Sequence, residues 1–222
     1  NMIFIFSSFF ISSIYFLLLG AISNKLLFNE NLKLKNNYYE LAIIGIIFAS
    51  IIPFLLNFFL SLNRYLNDLI FIFPFLAVLL NAKLRNELDF RKIFFITLIV
   101  SLISTFLISY DNVYRPDAGS YHLPFISILN DNKIIIGLSN LHFRFGHISI
   151  IQYLSASFNN HIFLNNGILI PLALIFGFFI LYFINFFIKE KNSINFLILF
   201  IILVFIFFRI NWYSSFGNDA PA

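Results

Sequence analysis

The sequence contains no cysteine, which rules out disulfides, iron–sulfur clusters and thiolate zinc sites while leaving the compartment open. It is also short of charge. Asp, Glu, Lys and Arg make up only 11% of the residues and are scattered along the chain, so a basic patch for nucleic-acid phosphates is not expected despite the net charge of +4. Heptads, internal repeats, glycine-rich phosphate loops and the helical histidine pair of a zinc protease are missing as well. What fills the chain instead is hydrocarbon. Hydrophobic residues account for 60% of the 222 positions and the mean hydropathy is +0.92, more apolar surface than a water-soluble fold can hide. The 34 Phe, with abundant Ile, Asn and Lys, also carry the mark of an AT-rich genome, so lysine-rich loops weigh less than usual.

These features predict an all-α integral membrane protein. A helix needs about 20 apolar residues to cross the hydrocarbon core. Residues 2–22, 41–62, 93–110, 162–188 and 192–208 contain no Asp, Glu, Lys or Arg and read as transmembrane helices. The stretch 69–82 is shorter and needs residues 65–67, or a thin bilayer, to cross as a sixth. With six spans, connections 23–40, 83–92 and 189–191 carry nine of the Lys and Arg residues, against five on the opposite side. The positive-inside rule then puts the N-terminus and the loop 111–161 outside, in the periplasm if the cell is Gram-negative. A cleaved signal peptide over residues 2–22 is not expected, for there is no basic n-region and no obvious cleavage site. The chain opens on Asn1 and stops in the polar stretch 211–222, as a piece of a longer protein would.

Three regions follow: four spans in 1–110, the external loop 111–161, and two further spans with the start of another external loop in 162–222. A connection as long as 111–161 is usually functional. Its first half, through Arg115, Pro116, Asp117, Ala118 and Gly119, has turn chemistry, and Asp117 or Ser120 is placed to cap a helix running to Asp131. Phe125, Ile128 and Leu129 would give that helix one apolar side for lying on the membrane surface. Ile150, Ile151, Leu154 and Phe158 share a helical face and predict a second surface helix.

The pattern Asp117-x-Gly119-x-Tyr121-His122, followed by Gly137-Leu-x-Asn140-Leu-His142-x-Arg144, resembles a family of bacterial polytopic membrane proteins. A weaker echo runs from Ser214 to Asp219. More distantly, a long external loop with an early acidic residue, Tyr-His and a surface helix resembles the C-type glycosyltransferases, which use polyprenyl-phosphate-linked sugars. Two features differ from that pattern. Three further spans precede the acidic residue, and the usual pair of adjacent acidic residues is absent.

The resemblance implies transfer of a sugar from a polyprenyl-phosphate carrier to an acceptor at the external face, in envelope polysaccharide or glycolipid assembly. Partners would be the bilayer and the lipid-linked donor. Asp117 is then the general base for an acceptor hydroxyl, or else only a helix cap. His122 and Tyr121 would line the site, His122 assisting proton transfer or serving the structure. Arg144 offers a planar fork to phosphate, or snorkels to lipid headgroups. His142, Asn140 and Asp219 complete the substrate-binding set, although Asp219 also reads as a plain turn residue. No cofactor is expected. The one metal candidate is a divalent ion held by His142 and His147 with Asp117 or Asp219, at a spacing that fits no specific ligand motif. Two other functions fit the same composition: a transporter or flippase of lipid-linked saccharides, using Asn57, Asn165, Asn166 and Asn185 along a pathway, and a non-catalytic scaffold.

Overall fold

A computed structural model of the chain describes residues 2–28, 37–109, 118–146, 149–190 and 193–208, and every regular element among them is helical. The long apolar runs become α1 (Met2–Phe28), α2 (Tyr38–Asn57), α3 (Arg64–Leu80), α5 (Phe90–Ser109), α8 (Ile170–Glu190) and α9 (Ser193–Phe208). Between them lie the short helices α4 (Ala82–Glu87), α6 (Leu123–Asp131) and α7 (Ile150–Ser157). Four segments are long and apolar enough to cross a bilayer: Met2–Phe28, Tyr38–Asn57, Phe90–Ile108 and Leu164–Lys189. That is the anatomy of a multi-pass membrane protein. The other two expected spans form helices of 17 and 16 residues, α3 and α9. At 1.5 Å per residue α3 reaches about 25 Å, because Asn63 caps it by accepting from the Leu66 amide at 3.0 Å and so starts the helix ahead of residue 69.

The outward faces support a lipid setting. Leu69, Ile72, Phe73, Leu76 and Leu79 make an exposed apolar face on α3, and Phe94, Phe95, Ile99, Leu102 and Phe106 do the same on α5. Contiguous patches of this size are not left facing water in soluble monomers. Inside, several serine and threonine hydroxyls donate to the preceding turn, as with Ser101 to the Thr97 carbonyl at 2.6 Å and Ser50 to Ile46 at 2.8 Å, while Ser104 reaches across to the Ala173 carbonyl at 3.2 Å.

α1 is the central helix, packed against α2, α5, α3 and α8. Its contact with α2 is backbone to backbone. A methyl group added at Gly20 would overlap the Leu41 carbonyl, and one added at Gly45 would overlap the Phe16 carbonyl, so only two glycines allow the approach. An aromatic cluster then joins α1 to α3 and to the turn after α7. Tyr15 and Phe71 lie 4.9 Å apart, Phe71 and Phe163 5.1 Å, and Phe16 and Phe158 5.5 Å between ring centroids.

The bundle has two chemically different ends. At one, Lys25 reaches both oxygens of Glu87 at 3.0 Å, and the Asp89 amide donates to the Tyr38 hydroxyl at 2.8 Å, tying α1 and α2 to the α4–α5 corner. At the other, where α2 ends and α3 begins, α6 and α7 and the turns around them close the bundle.

The second loop helix departs from expectation. It does not lie on the surface: Gln152 to Ser157 are all buried, and α7 packs against α2, α3, α6 and α8. Ile150, expected on its apolar face, is 43% exposed, while Gln152 is 6% exposed. The reversal follows from the capping box, in which Gln152 accepts from the Ser149 amide at 3.2 Å and is drawn inward. In α6, Phe125 and Leu129, expected to lie on the membrane surface, are instead buried in a protein core with Leu62, Tyr153 and Ala156, and Ile128 is half-buried. Ser120 does not cap this helix, because a π turn over Ala118–His122 carries helical geometry upstream of Leu123.

Candidate functional site

The two halves of the Tyr-His and Asn-Leu-His-x-Arg pattern meet in space. Gly137, at φ 88°, takes the left-handed turn that starts the 3₁₀ segment Leu138–Asn140, and a second one, Phe143–Gly146, carries Arg144 back over the π turn. There the guanidinium carbon of Arg144 sits 4.5 Å from the centre of the Tyr121 ring, and that ring is 4.1 Å from His122. Such a cation over an aromatic face is worth about 0.5–2 kcal/mol. His122 is only 3% exposed, with Nδ1 lying 3.5 Å from Gln152 Nε2. Gln152 is therefore a neighbour of the site that its place in an apolar helix concealed.

His142 stands on the adjoining turn. Its Nδ1 accepts from the Arg144 backbone amide at 3.3 Å, and its ring lies 5.2 Å from Phe143 and 5.3 Å from Phe145. Phe145 in turn contacts Phe125 of α6 at 5.9 Å, which anchors the Arg144 turn to the bundle. Asn140 is exposed, with its amide nitrogen held by the Gly137 carbonyl at 2.9 Å. Tyr153 lies beneath Phe125 at 6.4 Å; burial pushes its phenol above the ordinary range, so it is no base at neutral pH. Asp117 and Asp219, with Asp111, Arg115 and His147, lie outside the described residues. Among the described residues no three His, Asp or Glu side chains come together as a metal site.

A pocket of about 600 Å³ opens on the other side of α6. The start of α3 gives it Asn63 and Arg64, α6 gives Ser127, Asn130 and Asp131, and the chain after α7 gives Asn159 and Asn165, over a floor of Leu123, Ile126 and Ile168. Asparagines build the wall. Buried Asn67 donates to the carbonyls of Leu62, Ala156 and Asn159 at 2.8, 2.9 and 2.9 Å. Asn130 donates to Leu62 and Ala156 at 2.7 and 3.0 Å while accepting from Asn159 at 2.8 Å. Asn57 binds the Leu60 and Asn132 carbonyls at 3.2 and 3.0 Å. Beside the pocket, His161 holds Asp68 through its ring at 2.6 Å and its amide at 3.0 Å. Of these residues the sequence pointed only to Asn57 and Asn165, as polar steps of a transport pathway and not as parts of a pocket. The available signal was uncharged amides at the ends of apolar runs, where a buried amide must find carbonyls.

A bundle with four membrane-length apolar helices, closed at one end by short helices that carry a polar pocket and a stacked Arg-Tyr-His cluster, defines a polytopic membrane protein with a preformed site at its end. The chain belongs to the family described as Domain of unknown function (DUF8201), whose sequence pattern matches residues 2–222. No curated protein and no solved structure matches it.

Proposed function

We propose that the chain is a six-span protein of the bacterial inner membrane whose external loop 111–161 carries a glycosyltransferase-like site, moving a sugar from a polyprenyl-phosphate carrier to an acceptor at the outer face. The observation that supports this reading is the meeting of the two motif halves, with the Arg144 guanidinium 4.5 Å over Tyr121 beside His122. A guanidinium presents a planar bidentate fork to phosphate, which a lysine ammonium does not.

In the proposed reaction the acceptor oxygen bonds to the anomeric carbon and the bond from that carbon to the phosphate oxygen breaks. Asp117 takes the hydroxyl proton, and the electron pair leaves with the carrier phosphate, held by Arg144. His122, His142 and Tyr121 line this position, Asn140 stands at its exposed rim, and Asp219 is the second carboxylate. The Lys and Arg excess of connections 23–40, 83–92 and 189–191 supports the outward orientation. A flippase would use Asn57 and Asn165 as steps in a pathway, but Asn57 binds loop carbonyls and Asn165 accepts from Arg64 at 3.1 Å, which favours the transferase.

The test is lipid-linked sugar turnover by the protein in proteoliposomes, with each variant checked for thermal unfolding. Asp117→Asn is expected to lower turnover on the order of 10²–10⁴-fold with donor binding kept. Arg144→Lys is expected to weaken donor binding and leave acceptor dependence unchanged. Near-normal turnover by stable Asp117→Asn refutes the base assignment. If lipid-linked sugar is never consumed and Arg144→Lys abolishes copurification of a partner protein, the loop is a scaffold.

A further inference from the structure

The pocket behind α6 is not part of the cluster around Arg144, and its chemistry points to a different ligand. Its floor of Leu123, Ile126 and Ile168 is apolar, and its walls carry amides, a hydroxyl and one charge of each sign. Arg64 uses its side chain to donate to Asn165 Oδ1 at 3.1 Å, and Asp131 accepts from Ser127 at 3.2 Å; the two charges form no ion pair with each other. A free phosphate would meet the Asp131 carboxylate with only one cation to hold it. A pyranose matches better, because it has an apolar C–H face for the floor and a rim of hydroxyls that donate to a carboxylate and accept from a guanidinium or an amide. The volume of about 600 Å³ lies within the roughly 300–1,000 Å³ of small-molecule sites.

We propose that this pocket binds a neutral saccharide at a position separate from the Arg144 cluster. Saccharide binding here does not rest on the transfer reading. The two polar regions flank α6. Arg144 meets the π turn at Tyr121 and its neighbour Phe145 meets Phe125, whereas Leu123, Ile126, Ser127 and Asn130 face the pocket, so one short helix separates the two.

The experiment is saturation-transfer NMR on the full chain in lipid nanodiscs. The probes are glucose, galactose, mannose, N-acetylglucosamine and rhamnose, with phosphocholine as the zwitterionic control. At least one neutral sugar is expected to receive magnetisation. Its affinity is expected to fall about tenfold in Asp131→Ala, the loss of a hydrogen bond to a charged group, and in Ser127→Phe, where a ring at an exposed position fills the mouth without disturbing the core. Arg144→Lys is expected to leave it unchanged. The proposal is overturned if no sugar in the panel binds, if binding survives both pocket substitutions, or if only phosphocholine binds. Sugar binding that follows the pocket variants in a protein that never consumes lipid-linked sugar refutes the transfer reading and leaves the pocket as a saccharide site. Turnover of lipid-linked sugar with no sugar binding that depends on Asp131 or Ser127 does the reverse.

Discussion

Asn67 and Asn130 share a backbone acceptor, and this makes their joint removal informative. Both side chains donate to the Leu62 carbonyl, at 2.8 and 2.7 Å, and both reach the Ala156 carbonyl, which also receives the Asn159 amide at 3.2 Å. The Asn159 carbonyl has Asn67 as its one donor among the described residues. In Asn67→Leu the Leu62 oxygen keeps Asn130, so the loss is mainly that of the Asn159 bond, roughly 1–3 kcal/mol for a buried acceptor left bare. Asn130→Leu spares Leu62 through Asn67 but leaves the Asn159 side chain without its 2.8 Å acceptor, a cost of similar size. Together the substitutions strip the Leu62 oxygen of both donors. The double variant is therefore expected to lose more than the sum of the singles by about 1–3 kcal/mol. Equilibrium unfolding in mixed micelles, followed by the lone Trp or by helicity, measures all four corners of the cycle. Strict additivity would refute the shared-acceptor reasoning, since it would mean that water or lipid already satisfies Leu62.

Other expectations follow from the packing and the topology. Gly20→Ala and Gly45→Ala each force a methyl against a backbone carbonyl that no rotamer change can move, so each should cost about 1–3 kcal/mol and lower the melting temperature in detergent, with wild-type melting refuting the close α1–α2 contact. The absence of cysteine gives clean labelling. Cys at exposed Ser139 should react with a membrane-impermeant maleimide in intact spheroplasts, and Cys at exposed Asn86 only after permeabilisation; the opposite pattern inverts the topology. Ser157, though in the same loop, is 3% exposed, so Cys there should stay unlabelled on both sides.

The long helices were legible because a continuous apolar run needs no partner to declare itself; residues 2–22 sit inside α1 and 93–109 inside α5, whereas the run 41–62 leaves the helix after Asn57, where α2 ends. The direction α7 faces was legible in part. Leu154 and Phe158 of its expected stripe are buried, but Ile150 is exposed and Gln152 is buried, because four helices enclose most of these eight residues. Periodicity identifies a buried face only when another face is left wet. The meeting of Tyr121 with Arg144 was half legible, since the residue types were conspicuous but the fold back over the π turn depends on Gly137 and on Phe145 reaching Phe125. The asparagine wall was least legible. An amide becomes structural only through the carbonyls brought to it, and those of Asn67 come from Leu62, Ala156 and Asn159, on both sides of the loop.

The hydrogen bonds that brace that wall come from groups that never ionise. Moving a full charge through a membrane field costs about 2.3 kcal/mol per 100 mV, and exposed ion pairs weaken as salt rises. The amides of Asn57, Asn67, Asn130 and Asn159 carry no net charge to respond to either, nor any proton to gain in an acidic medium. This bracing should thus hold through swings of voltage, acidity and ionic strength, while the charged side chains it carries into the pocket, Arg64 and Asp131, feel voltage and salt directly.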